Sequence, residues 1–173
     1  MSSADSEKRR RDEANLNRFL KEVRTVWERQ RIPNPSAATE ADIVAFEQKY
    51  NVTLAPIVRE YFHELNGTKT GELGMDDECL LGFWHLDQVR PVKEECPKYA
   101  TADEPNLFMF ADYSIWALGY AIRLAPANDA ATAIFLLGGN KPVKLAPTLE
   151  EFLNRYAVGD QTVLFGSNEP AEF

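Results

Sequence analysis

Apolar residues follow a helical spacing in the first third of this chain and a strand spacing further on. Across residues 16–31 they recur every three or four positions, which predicts a first helix. Thr39 followed by Asp42 is the pattern of a capped helix start, and it predicts a second helix. A third helix is predicted from Pro56 to Gly67, since the Asn-Gly pair at its end readily takes the left-handed conformation. The last two helices are expected to form a helical hairpin.

Short apolar stretches after residue 78 predict a sheet. Within residues 116–124 large and small side chains alternate, which is typical of a strand with one crowded face. Pro91–Glu104 is expected to be a loop, because it holds two prolines and mixed charge. A last helix is predicted from Thr148 to Tyr156, and Thr162–Phe165 is expected either to add an edge strand or to pack on the core. The predicted strands are Cys79–Leu86, Leu107–Tyr113, Trp116–Leu124, Ala131–Leu137 and Pro142–Leu145.

These elements fit a single α+β domain. The chain has 173 residues, 45% of them hydrophobic, which is enough to bury a core without disulfides or metal. No apolar run approaches the roughly 20 residues of a membrane span, and no apolar segment follows the basic N-terminal cluster as in a secretory signal. Two cysteines, Cys79 and Cys96, are typical of a protein in a reducing cytosol. We therefore expect a cytoplasmic protein with no membrane partner.

Charge is distributed unevenly along the chain. Residues 1–31 carry nine Lys or Arg against six Asp or Glu, whereas residues 32–173 carry ten against twenty-one. A body this acidic repels phosphate backbones, so we do not expect nucleic acid as a partner. The same field attracts a basic protein and speeds its docking. A surface that only keeps the protein soluble would explain these charges equally well.

No catalytic or metal-binding pattern in the sequence is complete. His63 lacks a second histidine four residues further on, so the zinc-protease spacing is absent. Cys79 and His85 could act as nucleophile and base, but both lie in an apolar stretch where inert, buried cysteine is more common. Asp76-Asp77-Glu78 could bind a hard cation, yet the calcium-loop spacing is missing. We therefore expect a non-enzymatic protein with no cofactor and no metal.

Several short motifs, in a fixed order, resemble one known family. They match the SUKH superfamily, in particular the branch that includes yeast cell-wall assembly regulators of the Smi/Knr type, and the resemblance covers residues 39–156. Two positions depart from it: Ala55 separates a Leu-Pro pair, and Ser114-Ile115-Trp116 stands where a glycine-rich turn is usual. The motifs are Ile43, Phe46 and Glu47; Leu54; Asn66-Gly67; Phe110-Ala111-Asp112; Gly119-Tyr120-Ala121-Ile122; and Leu149, Phe152 and Leu153.

The resemblance implies helices packed on a twisted, mostly antiparallel sheet. Together with the first helix, which lies outside the match, we expect one domain at residues 13–165. A flexible tail at residues 1–12 and a C-terminal tail at residues 166–173 flank it. Members of the superfamily are commonly bacterial immunity proteins that bind and neutralise toxins, many of them nucleases. Others are eukaryotic or viral adaptors and regulators. The superfamily is not known for a shared set of catalytic residues.

The leading hypothesis is therefore an immunity protein that blocks a toxin by direct binding, with its carboxylates against a basic cleft. Tyr113 and Trp116 are candidate aromatic anchors. The alternative is a regulatory adaptor that recruits host proteins through the arginine-rich helix at residues 8–31. The carboxylates expected at the contact surface are those of Asp76, Asp77, Glu78, Glu94, Glu95, Asp103 and Glu104.

Overall fold

Residues 7, 18–33, 36–68, 76–101, 103–124 and 132–166 are described by the structure, a computed structural model. The tails predicted at residues 1–12 and 166–173 lie outside the described residues, except for Glu7 and Gly166. The helices are α1 at residues 18–29, α2 at Glu40–Tyr50, α3 at Pro56–Glu64, α4 at Val92–Glu95, α5 at Leu149–Ala157 and α6 at Thr162–Phe165, with a 3-10 turn at Pro97–Tyr99. The strands are β1 at Leu81–Phe83, β2 at Arg90–Pro91, β3 at Leu107–Tyr113, β4 at Leu118–Arg123, β5 at Ile134–Leu137 and β6 at Val143–Ala146.

The strands form one antiparallel sheet in the order β1-β3-β4-β5-β6, and β2 also pairs with β3. Strand β1 runs beside the end of β3, where Leu81 lies opposite Tyr113. Strand β2 runs beside its start, where Pro91 lies opposite Phe108. The two short strands therefore mark the two ends of β3. The predicted α+β class, with helices on an antiparallel sheet, is confirmed.

Aromatic side chains join the helices to one face of the sheet. The Phe152 ring of α5 lies 5.9 Å from that of Phe110, and the Trp27 ring of α1 lies 5.5 Å from that of Phe83. Burying each such ring stabilises the fold by about 2–3 kcal/mol. Because α1 supplies Trp27 together with buried Phe19 and Leu20, this helix is part of the core.

The helical hairpin of α2 and α3 begins and ends as the sequence predicts. The Thr39 hydroxyl accepts from the Asp42 N–H at 3.2 Å, and the Asp42 carboxylate accepts from the Thr39 N–H at 2.8 Å. The Thr39 hydroxyl also donates to the Asp42 carboxylate at 2.6 Å, and this hydrogen bond lowers the pKa of Asp42. After α3, Asn66 and Gly67 have φ of 48° and 79°. A Cβ at Gly67 would lie 2.6 Å from the Trp84 carbonyl oxygen, so only glycine fits there.

Two predicted segments differ from the structure. The predicted strand Cys79–Leu86 shrinks to β1, because Leu80 is left-handed with φ of 65° and the chain turns again after Trp84. The predicted loop Pro91–Glu104 instead holds part of β2, all of α4 and the 3-10 turn. Prolines precede α4 and open the 3-10 turn, since a fixed φ suits a helical start.

The later strands also shift, and α6 replaces one candidate edge strand. Strand β4 begins at Leu118 rather than Trp116, because the intervening turn is left-handed. Thr162–Phe165 is a short helix that packs on the core, where the Tyr120 hydroxyl donates to the Leu164 carbonyl at 2.6 Å. The Arg155 guanidinium donates to the Leu145 carbonyl at 2.8 Å, which covers part of the β6 edge.

Candidate protein-binding surface

The turn between β3 and β4 has a strained backbone. Ser114, Ile115 and Trp116 have φ of 47°, 53° and 69°, all in the left-handed region. Such a conformation costs a residue with a Cβ roughly 1–2 kcal/mol. The turn is held by the Ser114 N–H, which donates to the Leu80 carbonyl at 2.8 Å, and by the Ala117 N–H, which donates to the Ser114 carbonyl at 3.3 Å. Strain of this kind clusters at functional sites.

The same turn belongs to an exposed apolar surface. Ile115 is 84% exposed and Trp116 is 48% exposed. Leu80, whose carbonyl binds the turn, is 46% exposed. Phe165 of α6 is 50% exposed, and its ring lies 5.3 Å from that of half-buried Tyr113. We name Leu80, Tyr113, Ile115, Trp116 and Phe165 the hairpin corner.

Trp116 is held rigidly although half of it is exposed. Its indole ring lies 4.8 Å from the ring of buried Trp84. The Trp84 Nε1–H donates to Asp112 Oδ2 at 2.6 Å, and the Trp116 N–H donates to Asp112 Oδ1 at 3.3 Å. Because the indole already packs against Trp84, a partner that covers its exposed part loses little side-chain entropy. Trp116 therefore has the properties of a preorganised anchor.

The three acidic residues before Leu80 differ in their setting. Asp77 is 4% exposed, and its carboxylate accepts from the Cys79 and Leu81 N–H groups at 2.8 Å and from the Tyr156 hydroxyl at 2.7 Å. Burial raises the pKa of Asp77. Its role is thus to hold the chain before β1, and we remove it from the expected contact surface. Glu78 is exposed, and Asp76 is half-buried.

The remaining predicted carboxylates lie at the other end of β3, near β2 and α4. Glu95 pairs with Arg90 at 3.0 Å, and Glu104 accepts from the Arg123 Nε–H at 2.9 Å. Glu94 and Asp103 are exposed. Strand β3 separates the two ends by about 20 Å at the usual rise per residue. The structure therefore leaves these four carboxylates away from Tyr113 and Trp116. Glu78 lies nearer to the hairpin corner, two residues before Leu80, and its N–H donates to the Gln30 side chain of α1 at 3.1 Å.

Three residues of the hairpin corner were missed from the sequence. Leu80, Ile115 and Phe165 look like the ends of buried elements, and nothing in their spacing distinguishes them from core residues. One signal was present: Ser-Ile-Trp occupies a turn between two strands, where Gly, Asn or Asp is usual. A bulky apolar residue in such a turn contributes little to the core, which favours a surface role.

Cys79 and His85, the candidate nucleophile and base, do not lie together in the structure. Cys79 lines a cavity of about 400 Å³ with Glu78 and Arg29, whereas His85 lines a different cavity of about 430 Å³ next to α2. Burial raises the pKa of the Cys79 thiol, and the charge of Asp77 raises it further. Among the described segments no group of three or more His, Cys, Asp or Glu could hold a metal ion. None of the helices in those segments is long and apolar enough to cross a bilayer.

Comparison with known proteins gives one match. Residues 37–155 match the model of the family described as SMI1 / KNR4 family (SUKH-1). The matched residues include α2, the sheet and most of α5. Proteins of this family generally have immunity or regulatory roles and are generally not enzymes. No curated protein matches the chain. The resemblance seen in the sequence is confirmed.

Proposed function

We propose that this chain, which belongs to the SMI1 / KNR4 family (SUKH-1), is an immunity protein that neutralises a toxin by binding to it directly. The general role of the family in immunity or regulation supports this proposal. The observation that carries it is the hairpin corner, an apolar surface that is exposed on an acidic protein and whose Trp116 packs against Trp84. Exposed apolar patches with a fixed aromatic side chain are typical of protein interfaces.

Direct binding is sufficient for this function, because an inhibitor that blocks an active site needs no chemistry of its own. A nuclease toxin needs a basic cleft for phosphate, and an inhibitor with net charge −8 approaches such a cleft quickly. We place the encounter in the cytoplasm, where a toxin would reach its target. The toxin is the macromolecular partner in this proposal, and nucleic acid and membrane are not partners.

Co-expression tests the proposed function. The protein encoded next to this gene is expressed in a bacterial host with and without the chain, and an unrelated toxin serves as the control. A neighbouring protein that is not toxic by itself would contradict the proposal. We expect the chain to restore growth only with the neighbouring toxin, and the purified pair to elute as an equimolar complex. Unchanged toxicity in the presence of folded, soluble chain would contradict the proposal.

A regulatory adaptor is the second candidate, and the exposed side of α1 favours it. Arg18, Lys21 and Arg29 are exposed on this helix, while its other side is buried in the core. Deleting residues 1–31 is therefore a poor test, because the deletion removes Trp27 from the core. The double change Arg18→Glu and Lys21→Glu leaves the core intact and lies away from Glu78. Loss of a host partner with this variant, without any effect on toxin resistance, would favour the adaptor.

A further inference from the structure

We infer that the hairpin corner docks on the toxin, and that the toxin offers an apolar pocket for Trp116 beside basic side chains that face Glu78. This inference rests on the proposed function, and it adds the contact surface and the chemistry of the partner. Trp116 supplies the anchor, Leu80, Ile115 and Phe165 supply the surrounding apolar contacts, and Glu78 supplies the charge. Each part is supported by a separate observation.

The exposure of the tryptophans singles out Trp116. The chain has three tryptophans, and Trp27 and Trp84 are 2% and 5% exposed. Trp116 alone combines a fixed position with a large accessible apolar surface. Tryptophan in a desolvated pocket is among the residues that contribute most to binding energy. A pocket that covers the exposed part of the indole is the matching feature of the partner.

The backbone strain supports the same conclusion. Four left-handed residues other than glycine meet at this corner: Leu80, Ser114, Ile115 and Trp116. Burial of Ile115 does not offset the cost, because its side chain is almost fully exposed. The strained turn places Ile115 and Trp116 side by side at the surface, which an ordinary glycine turn would not do. A contact outside the chain is therefore the use that explains their position.

The charge of Glu78 and the net charge of the chain indicate which kind of protein binds the hairpin corner. The exposed Glu78 lies two residues before Leu80, on the β1 side, and half-buried Asp76 precedes it. Lys141 lies in the turn between β5 and β6. This turn is at the same end of the sheet as the hairpin corner, but at the opposite edge. A partner with cations facing Glu78 is attracted in one orientation. A second copy of the chain also has net charge −8 and is repelled.

Fluorine NMR on the wild-type chain tests the inference without any substitution. Fluorotryptophan is incorporated into this chain only, and the unlabelled, catalytically inactive toxin domain encoded next to the gene is added. Trp116→Phe assigns the exposed resonance. We expect that resonance to shift and to lose its sensitivity to a paramagnetic quencher, while the resonance of Trp27, which lies away from the corner, changes little.

Affinity and kinetic measurements on variants provide the second readout. Trp116→Ala is expected to weaken toxin binding about 30-fold or more, and Ile115→Ala about fivefold. Glu78→Lys is expected to slow association about fivefold at low salt and to reduce its salt dependence. Glu94→Lys is the matched control, since it makes the same charge change at the other end of β3, and we expect less than a twofold effect from it.

The outcomes separate the two proposals. A toxin that binds while the Trp116 resonance and the variant affinities stay unchanged overturns the docking surface and leaves the proposed function intact. A toxin that does not bind overturns the proposed function together with this inference. A Trp116 resonance that changes when the chain alone is concentrated, with dimers in sedimentation, identifies a second copy as the occupant and overturns the choice of partner. If Trp116→Ala does not fold, the wild-type resonance still decides.

Discussion

Acidic residues lie near both ends of β3, but the surroundings of the two ends differ. At the α4 end, Glu95 and Glu104 pair with arginines, and apolar Val92 and Tyr99 are buried. At the hairpin corner, Leu80, Ile115, Trp116 and Phe165 stay exposed around a strained turn. The α4 end thus pairs two of its carboxylates within the protein, whereas the corner leaves apolar surface uncovered. A run of acidic residues in the sequence therefore does not by itself identify a binding surface.

Asp77 and Glu78 show the same difference between neighbours. Asp77 accepts three hydrogen bonds inside the protein, and Glu78 projects from the surface. The contrast predicts that one carboxylate of this pair stabilises the fold and that the other serves only contacts with a partner. Four changes, in decreasing order of expected effect, test this division of the molecule.

Removal of the buried carboxylate has the largest expected effect. Asp77→Ala leaves the Tyr156 hydroxyl and two backbone N–H groups without their acceptor, so we expect the free energy of unfolding to fall by about 3 kcal/mol. Glu78→Ala is the control and should change it by less than about 0.5 kcal/mol. Urea unfolding of both variants measures the difference. Equal losses would show that the two neighbours are not distinct.

The paired charge at the α4 end is expected to contribute less. Arg123 binds Glu104 and lies 5.5 Å from the Phe135 ring centre. Arg123→Ala should therefore lower the free energy of unfolding by about 1–2 kcal/mol. Glu94→Ala, at an exposed residue of the same end, should have almost no effect. A double-mutant cycle with Glu104→Ala isolates the pair, and a coupling energy near zero would contradict its stabilising role.

Relief of strain at the hairpin corner should stabilise the protein. Asparagine tolerates the left-handed conformation better than isoleucine, and little burial is lost at Ile115. We expect Ile115→Asn to raise the free energy of unfolding by about 1 kcal/mol while it weakens toxin binding. Ile115→Val keeps the β-branch and is the control. A destabilised Ile115→Asn would argue against strain in this turn.

The smallest expected effect is the acid dependence of the link between α5 and α6. Hydrogen bonds from Thr162, followed by Arg155, lower the pKa of Asp160 to about 2. A lowered pKa contributes stability above the unfolded value of about 4, and this contribution is lost as pH falls towards 2. Asp160→Asn should therefore flatten the stability profile between these pH values. Thermal melts across that range measure it, and identical slopes would contradict the assignment.

The regular part of the fold followed from local patterns. The cap at Thr39, the left-handed end at Gly67 and the apolar stripes of α2, α3 and α5 could be placed from the sequence, as could β3. These features depend on neighbours within a few residues, and their spacing records which side of each element is buried. The acidic character of the chain was equally visible, because it is a property of composition.

Only the tertiary structure decided which polar and apolar groups remain available. Asp77 is buried where it accepts a hydrogen bond from the Tyr156 hydroxyl, 79 residues further along the chain, and no local pattern predicts that bond. The left-handed turn at Ser114 depends on a hydrogen bond to Leu80, and Phe165 joins the corner through its contact with Tyr113. The candidate binding surface consists of such long-range contacts. Sequence spacing determines what each element buries, and packing between distant elements determines what is left at the surface.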